Sequence, residues 1–356
     1  MQKPIKLGIV GLGRAGWGMH LEEIKNKTDK FEVVAVCDIL PDRNQKTAER
    51  LGCRTYNSID ELIADSEVEI VDIATRTCDH FEHAMKALKA GKDVILEKPI
   101  CMSYEEACIL YNNANKPGLP RLYARQNRRF EKVYSIVKET VDSGILGKVF
   151  EITVSQLGYQ RRDDWQTLSE FGGGQLLNWG PHIIDHSLML LDSPVKKQYG
   201  DMKLAAAGGD CEDHFSIHFI GENNRKVNMC ISGSAALNNG RCFVAYGTRG
   251  AIECVNNDIH LKYINPEQKL PPVKSSAATP GSSFGASGTF ESAVNPDWIE
   301  ESYKITSEDL TVIWDYIYEN YRNGADYPIK DIEVLNLMKV ISRLKSENDI
   351  TVLTEE

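Results

Sequence analysis

The strongest constraint on the fold lies near the N-terminus, where an apolar run meets a glycine-rich turn. The run IKLGIV at residues 5–10 leads directly into GLGRAG at residues 11–16. In a turn of this GxGxxG form, the first glycine permits a tight bend, the second lets the backbone approach a pyrophosphate, and the third lets helix and strand pack closely. The helix that follows points its positive end at the phosphates. The pattern predicts a dinucleotide-binding unit, with a plain structural turn as the alternative.

Residues 1–124 alternate between short β-branched runs and amphipathic helices, which is typical of a parallel sheet covered on both faces. The predicted strands are 5–10, 31–37, 69–74, 93–96 and 121–125. Helix signals lie between them: Pro41 suits a first turn, capping boxes stand at 58–61 and 103–106, and Gly91 marks a helix end. We therefore predict an α/β fold with an N-terminal Rossmann domain over residues 1–124.

The pattern changes after residue 125. A predicted helix over 129–142 is followed by alternating runs at 149–154, 212–220, 225–233, 241–247, 250–255 and 259–264. Such runs with short polar connections indicate consecutive antiparallel strands. Residues 125–356 are predicted to form an α+β domain.

Two further segments complete the predicted second domain. Residues 271–297 lack an apolar period and predict a long loop, either a surface excursion or an arm that closes a site. Two helices follow, one with Leu310, Ile313, Trp314 and Ile317 on one face and one over 331–346.

Composition narrows the class of partner. The 356 residues include 51 acidic and 41 basic side chains, for a net charge of −10, and no basic block interrupts them. This balance argues against nucleic acid or an anionic membrane as a partner and favours a small molecule. Nine scattered cysteines without a CxxC pair predict reduced thiols. The first strand begins near residue 5, so we expect no leader peptide and a cytoplasmic location, and no apolar stretch is long enough to predict a membrane span.

The second predicted strand suggests which cofactor the turn binds. It ends at Asp38, 22 residues after Gly16, where an acid hydrogen-bonds the ribose hydroxyls of NAD and repels the 2′-phosphate of NADP. NAD is therefore expected, with NADP the less favoured choice. The alternative is that Asp38 only caps the next helix and that nearby Arg43 weakens the discrimination. The full predicted cofactor site comprises Gly11, Gly13, Arg14, Ala15, Gly16, Asp38, Thr75, Arg76, His80, Glu97 and Lys98.

Lys98 and His182 are the predicted catalytic residues. Lys98 follows the apolar run 94–96, at the carboxyl edge of the sheet where open α/β folds bind ligands. His182 lies in the segment GGGQLLNWGPHIIDH at 172–186, whose helical spacing puts Asn178, His182 and Asp185 or His186 on one face. Oxidising a secondary alcohol requires a base for the hydroxyl proton and a cation that favours the alkoxide. An exposed strand end is the alternative for Lys98.

The glycine turn, the EKP tripeptide at 97–99 and the glycine-rich segment before His182 resemble the glucose–fructose oxidoreductase, inositol dehydrogenase and rhizopine-catabolism (Gfo/Idh/MocA) family of NAD(P)-dependent sugar oxidoreductases. The resemblance implies a Rossmann domain docked on an open-faced antiparallel sheet, through which subunits associate as dimers or tetramers. It also implies that Lys98 hydrogen-bonds the reacting hydroxyl and that His182 takes its proton. Most inositol-type members have an aspartate where this chain has Asn178, which points to a different tuning of His182 or to a different substrate.

Other polar residues are candidates for substrate contact. With Lys98, Asn178 and His182, the predicted substrate site comprises Asn127, Arg128, Trp165 and Asp185. For the arginines, a solvated or domain-bridging cluster is the alternative. His182 and His186 lie one helical turn apart, as in some metal sites, but no third ligand is evident, so no metal is predicted.

Three functions are consistent with these features. The first is an NAD-dependent oxidoreductase that acts on a hydroxyl of a sugar, cyclitol or sugar derivative. The second is a glycoside-cleaving enzyme that recycles a bound NAD through a transient keto-sugar. The third is a non-catalytic NAD-binding sensor, which would retain its function in a Lys98→Ala variant.

Overall fold

Two sheets organise the computed structural model, which describes residues 3–237, 240–273, 277, 294–307 and 309–353. Most of the predicted loop over 271–297 lies outside the described residues. The first sheet is parallel throughout, with the strand order β3-β2-β1-β4-β5-β6. The second is a mainly antiparallel sheet in the order β14-β13-β12-β11-β7-β10-β9-β8-β15, where β7 pairs with β10 and β8 with β15 in parallel.

The first sheet contains the five predicted strands and one more. Its strands are β1 (Ile5–Val10), β2 (Phe31–Cys37), β3 (Arg54–Tyr56), β4 (Ile70–Ile73), β5 (Asp93–Leu96) and β6 (Leu122–Ala124). Strand β3 was not predicted because it has three residues, two of them exposed, and so carries no apolar pattern. The predicted Rossmann architecture is confirmed.

Helices on both faces of this sheet begin and end at the predicted signals. They are α1 (Leu21–Ile24), α2 (Pro41–Leu51), α3 (Ile59–Ala64), α4 (Thr77–Lys89) and α5 (Tyr104–Asn112), and a π-helical turn, Gly16–His20, leads into α1. Ser58 and Ser103 each accept a hydrogen bond from the backbone N–H three residues later, which confirms the two predicted caps.

The second sheet has nine strands. They are β7 (Val149–Leu157), β8 (Val195–Leu204), β9 (His214–Gly221), β10 (Lys226–Ser232), β11 (Arg241–Gly247), β12 (Gly250–Val255), β13 (Asp258–Ile264), β14 (Trp298–Lys304) and β15 (Ile350–Val352). The prediction missed β8, β14 and β15. Strand β8 is lysine-rich and buries only alternate residues toward its end, β14 is almost wholly exposed, and β15 has three residues.

Four helices pack against the second sheet: α6 (Lys132–Asp142), α7 (Gln175–Asn178), α8 (Gly180–Leu191) and α10 (Asp331–Glu347). The same part of the chain contains α9 (Val312–Asn323) and 3₁₀ turns at Asn127–Phe130, Trp165–Thr167 and Ser169–Phe171. Within the described ranges, no helix combines the length and apolarity needed to cross a membrane.

Helix α9 returns to the first sheet, although it comes late in the chain. The ring of Trp314 packs edge-on against Phe31 at 5.3 Å and against His20 at 5.6 Å, and Trp314 is fully buried. Arg322 forms an ion pair with Glu69, which precedes β4. The C-terminal segment thus contributes a helix to the cover of the N-terminal sheet. The predicted domain boundary between residues 124 and 125 remains a prediction.

Candidate active site

The glycine-rich turn has the backbone geometry of a phosphate cradle. Gly11 has φ +93°, and a Cβ there would lie 2.6 Å from the carbonyl oxygen of Ala74. A Cβ on Gly16 would lie 2.0 Å from the carbonyl oxygen of Gly11. At Gly13, only the Arg43 guanidinium would come within 4 Å, so this part of the turn is open to a ligand. Arg14 and Ala15 complete the turn before the π-helical segment, whose N-terminal end suits an anion.

Asp38 lies at the edge of the same cradle. Its buried carboxylate accepts hydrogen bonds from the N–H groups of Leu12 at 2.7 Å and Leu40 at 2.9 Å, and Arg43 lies 3.4 Å away. The carboxylate therefore joins the glycine turn to Leu40, the residue before α2, and lies beside the cradle.

The loop after β4 contacts the second domain. Thr75 bonds to His83 through its hydroxyl group, and the guanidinium of Arg76 lies 4.4 Å from the ring centre of Phe171, in the second domain. The ring nitrogens of His80 lie 2.7 Å from the carbonyl oxygen of Pro99 and 3.2 Å from that of Thr75. His80 thus supports the two loops that border the cradle, and both of its ring nitrogens are occupied by protein.

A buried ion network lies directly beneath Lys98. The ring nitrogens of His20 lie 2.7 Å from Asp72 and 2.9 Å from Glu97. Arg125 donates to Glu97 at 2.6 Å and also pairs with Glu23. Burial by itself lowers the pKa of His20, but the two carboxylates outweigh this effect and raise it to about 9. Glu97 uses one carboxylate oxygen in the network and accepts the Lys98 N–H with the other at 3.1 Å, and its predicted contact with the cofactor stays a prediction.

Lys98 crosses from the first sheet to the second domain. Its Nζ donates to the backbone carbonyl of Asn178 at 2.9 Å, although the two residues lie 80 positions apart in the chain. Burial lowers the pKa of Lys98 to about 8, with nearby arginines adding to the effect and Glu97 opposing it. The bond places the ammonium at the turn that leads into α8.

His182 lies in the first turn of α8 and is almost fully buried. Its Nδ1 is buried without a hydrogen-bond partner among the described residues, and its ring meets Trp179 edge-on at 6.0 Å. Burial, followed by the positive field of Lys98, holds the pKa of His182 well below its usual range. Lys98 and His182 therefore come together as predicted from the sheet edge and the helical spacing, and the structure presents His182 as a neutral imidazole.

Two arginines surround Trp179. The guanidinium of Arg128 lies 4.5 Å from its ring and that of Arg241 lies 5.5 Å away, and both pair with buried Glu131. Sequence reasoning missed Arg241 and Glu131, because their proximity depends on the pairing of β11 with β7.

The remaining predicted substrate residues lie in different surroundings. Asn127 is buried at the start of its 3₁₀ turn, and half-buried Trp165 precedes Gln166, which donates to Asn178 Oδ1 at 3.4 Å. Both oxygens of Asp185 are engaged by the guanidinium of Arg129, at 2.6 and 2.7 Å. Asp185 thereby holds α8 to the domain junction, and its predicted contact with substrate stays a prediction.

His186 has a packing role. Its ring stacks on Tyr134 with centroids 4.1 Å apart, and its Nε2 lies 2.8 Å from the carbonyl oxygen of Arg128. Among the described residues, no group of three ligating side chains is placed to bind a metal ion.

The glycine run at 172–174 explains how the domains approach each other closely. A Cβ on Gly172 would lie 2.7 Å from Thr77 of α4, and one on Gly174 would lie 2.5 Å from the Glu212 carboxylate. The run is thus a close-packed turn between the two domains.

Comparisons with known proteins agree with this geometry. The family described as "Oxidoreductase family, NAD-binding Rossmann fold" matches residues 5–123, and the "GFO/IDH/MocA C-terminal domain" matches residues 134–253. The chain belongs to the GFO/IDH/MocA oxidoreductase family. As a member of this family, it is an NAD(P)-dependent oxidoreductase.

Several GFO/IDH/MocA relatives show how far the similarity extends. An uncharacterized oxidoreductase of Schizosaccharomyces pombe is 30% identical over 70% of this chain and 69% of its own length. An inositol 2-dehydrogenase/D-chiro-inositol 3-dehydrogenase of Lactiplantibacillus plantarum is 33% identical over 40% of this chain and 41% of its own. The solved structure of an NAD-binding protein from Listeria innocua has a TM-score of 0.79 at 24% identity and covers 98% of both chains, which supports the fold.

The Gly16→Ala variant tests the cradle. We expect the affinity for NADH to fall at least tenfold (about 1.4 kcal/mol) because the new methyl group collides with the carbonyl of Gly11 and displaces the turn. Gly18→Ala is the matched control, since nothing lies within 4 Å of a Cβ at that position. Fluorescence titration with NADH measures both, and equal affinities of the two variants would contradict the assignment.

The ion network makes stability depend on pH. Because the pKa of His20 is raised from 6.5 to about 9, its charged form stabilises the fold fully below pH 6.5 and loses this effect as the pH rises through 9. We expect the advantage of the wild type over His20→Gln in free energy of unfolding to shrink by about 3 kcal/mol over that range.

Urea denaturation at several pH values measures this difference. Other groups that titrate in the same range, including Lys98, are present in both proteins and so cancel. His260→Gln, on the exposed side of β13, is the control for loss of a histidine. A constant difference between wild type and His20→Gln would show that His20 is not charged in the folded protein.

Proposed function

We propose that this protein transfers hydride between NAD and a secondary hydroxyl group of a sugar, cyclitol or sugar derivative. The observation that carries the proposal is the 2.9 Å bond from Lys98 Nζ to the carbonyl oxygen of Asn178, which brings the ammonium to the turn before His182. A cation and a neutral imidazole beside one another are the two groups that removal of a hydroxyl proton requires.

The protonation states support a division of labour between the two residues. With a pKa of about 8, Lys98 is mostly cationic at neutral pH and can hydrogen-bond the reacting oxygen as its negative charge develops. His182 remains neutral and so can accept the hydroxyl proton, or return it to a ketone in the reverse direction. When bound, the nicotinamide supplies the carbon that accepts or donates hydride.

NAD is proposed over NADP because of Asp38. Its carboxylate at the cradle edge would repel a 2′-phosphate and can accept hydrogen bonds from ribose hydroxyl groups. Ile39, next to it, is 83% exposed, which provides an apolar surface for a flat ring beside the ribose. Assays with both cofactors are therefore expected to favour NAD, and Asp38→Asn is expected to narrow that preference.

Variants at Lys98 test the proposed role. Lys98→Ala is expected to lower kcat by about 10²- to 10⁴-fold, with NADH affinity changed less than about threefold, because the side chain acts on the hydroxyl and not on the cradle. In the wild type, kcat/KM for oxidation should fall as the pH rises through 8, because Lys98 loses its charge.

Lys98→Arg separates charge from other effects. Arginine stays protonated in this range, so the alkaline fall should disappear even if kcat is reduced. A rise in wild-type kcat/KM through pH 8 would identify Lys98 as the base instead. NADH formation, followed by absorbance, distinguishes this function from recycling of bound NAD, which would cleave a glycoside without net NADH, and a sensor would show neither reaction.

The protein is also proposed to work in the cytoplasm, where its nine free cysteines would remain reduced.

We further propose that it forms a homodimer or homotetramer through its second sheet. Tyr199 and Tyr246 are exposed on the sheet, at 64% and 48%, and the edge strand β14 exposes Trp298. Light scattering is expected to give a mass of at least two chains, with Tyr246→Glu shifted toward the monomer. A monomeric wild type at about 10 µM would contradict this proposal.

A further inference from the structure

The Lys98 ammonium lies beside Asn178 and forms no direct ion pair among the described residues. The Lys98 ammonium donates to a neutral backbone carbonyl, and no carboxylate lies within ion-pair distance of it among the described residues. Glu97, its neighbour in sequence, is committed to His20 and Arg125 beneath it. Glu97 acts on Lys98 only through space, so the partly buried ammonium has one direct partner, a neutral carbonyl, and can bind an anion as a second.

Asn178 adds a hydrogen-bond donor but no charge. Its Oδ1 accepts from Gln166 Nε2 at 3.4 Å, so its Nδ2 is oriented as a donor, and no bond from Nδ2 is found in the described part of the chain. A carboxylate at this position would balance Lys98. The amide instead presents an N–H group, which suits an oxygen acceptor on a ligand.

The electrostatic field around His182 is also positive. Besides Lys98, the arginines flanking Trp179 lower its pKa, and the two share one buried carboxylate, Glu131. The buried Nδ1 of His182 has no partner in the described structure. The positive potential thus surrounds the His182 imidazole.

A small pocket lined mostly by polar side chains adjoins Asn178, and its two acids accept hydrogen bonds from backbone N–H groups. Asp213 accepts from the N–H groups of residues 205–207, and Glu212 accepts from Leu176 N–H at 2.7 Å. Burial raises the pKa of Glu212 to about 7, so it carries only part of a charge at neutral pH. Arg162 and Gln166 line the same pocket and bond to each other.

We propose that the substrate is anionic: a sugar acid or related hydroxy acid whose carboxylate, or a phosphate in its place, lies between Lys98 and the Asn178 amide next to the reacting hydroxyl. This inference rests on the function proposed above. The anion supplies the charge that the protein lacks at residue 178. A neutral polyol would leave Lys98 without a direct ion-pair partner.

Matched substrate pairs test the inference on the wild-type enzyme with NAD at constant ionic strength. The pairs are glucose with glucuronate, galactose with galacturonate, and glucose with glucose 6-phosphate, so that the uronates and the phosphate distinguish the two anions. In at least one pair, kcat/KM of the anionic member should be tenfold higher or more, and this advantage should fall as NaCl is added. For pairs without turnover, thermal stabilisation of the NADH complex gives the same comparison.

Asn178→Asp provides the second arm. A carboxylate beside Lys98 should lower the ratio of kcat/KM for the anionic member to kcat/KM for the neutral member at least tenfold, whatever its effect on the turnover of either. Asn112→Asp, exposed on α5, adds the same charge away from the cleft and should change neither value.

The outcomes separate this inference from the proposed function. NADH formation with neutral members equal to or better than anionic ones would overturn the charge inference and leave the oxidoreductase function in place. Equal thermal stabilisation by both members, or none, would also overturn it. If Asn178→Asp fails to fold, the pair ratios and salt dependence of the wild type decide. A Lys98→Ala variant with unchanged turnover would instead overturn the proposed function.

Discussion

The buried contacts of His20 with Asp72 and Glu97 are the interaction on which the site depends. They join three segments that reach one end of the first sheet: the helix after the glycine turn, strand β4 and the end of β5. Arg125, after β6, adds a fourth. Burying so many charges costs much solvation free energy, and only the mutual pairing offsets it. The network therefore fixes the position of the Lys98 backbone relative to the phosphate cradle.

At the candidate site the two domains meet through side chains of the first domain. Lys98 reaches the carbonyl of Asn178, and Arg76 lies over Phe171. Burial between the domains shifts the pKa of Lys98 downward while leaving it mostly charged at neutral pH, and it keeps His182 neutral. The packing of the two domains therefore keeps Lys98, from the first domain, protonated and His182, from the second, neutral.

Local patterns predicted the parts of the structure that depend on neighbouring residues. The strands of the first sheet, the serine caps and the approach of Lys98 to the His182 segment follow from periodicity, from spacing and from the rule that ligands bind at the carboxyl edge. The ion network could not be predicted because its members meet only through strand order, although Asp72 within the apolar run 70–73 was a visible signal. Strand β14 was missed because an exposed edge strand has no buried face to create an alternating pattern.

The return of α9 to the first sheet has a consequence for biosynthesis. Trp314 covers Phe31 and His20, and its indole N–H donates to Glu23 at 2.7 Å. A ribosome completes the six strands of this sheet by residue 124 but adds Trp314 only 190 residues later (314 − 124). The nascent nucleotide-binding half must therefore wait, with an apolar and charged surface uncovered, until helix α9 has been synthesised.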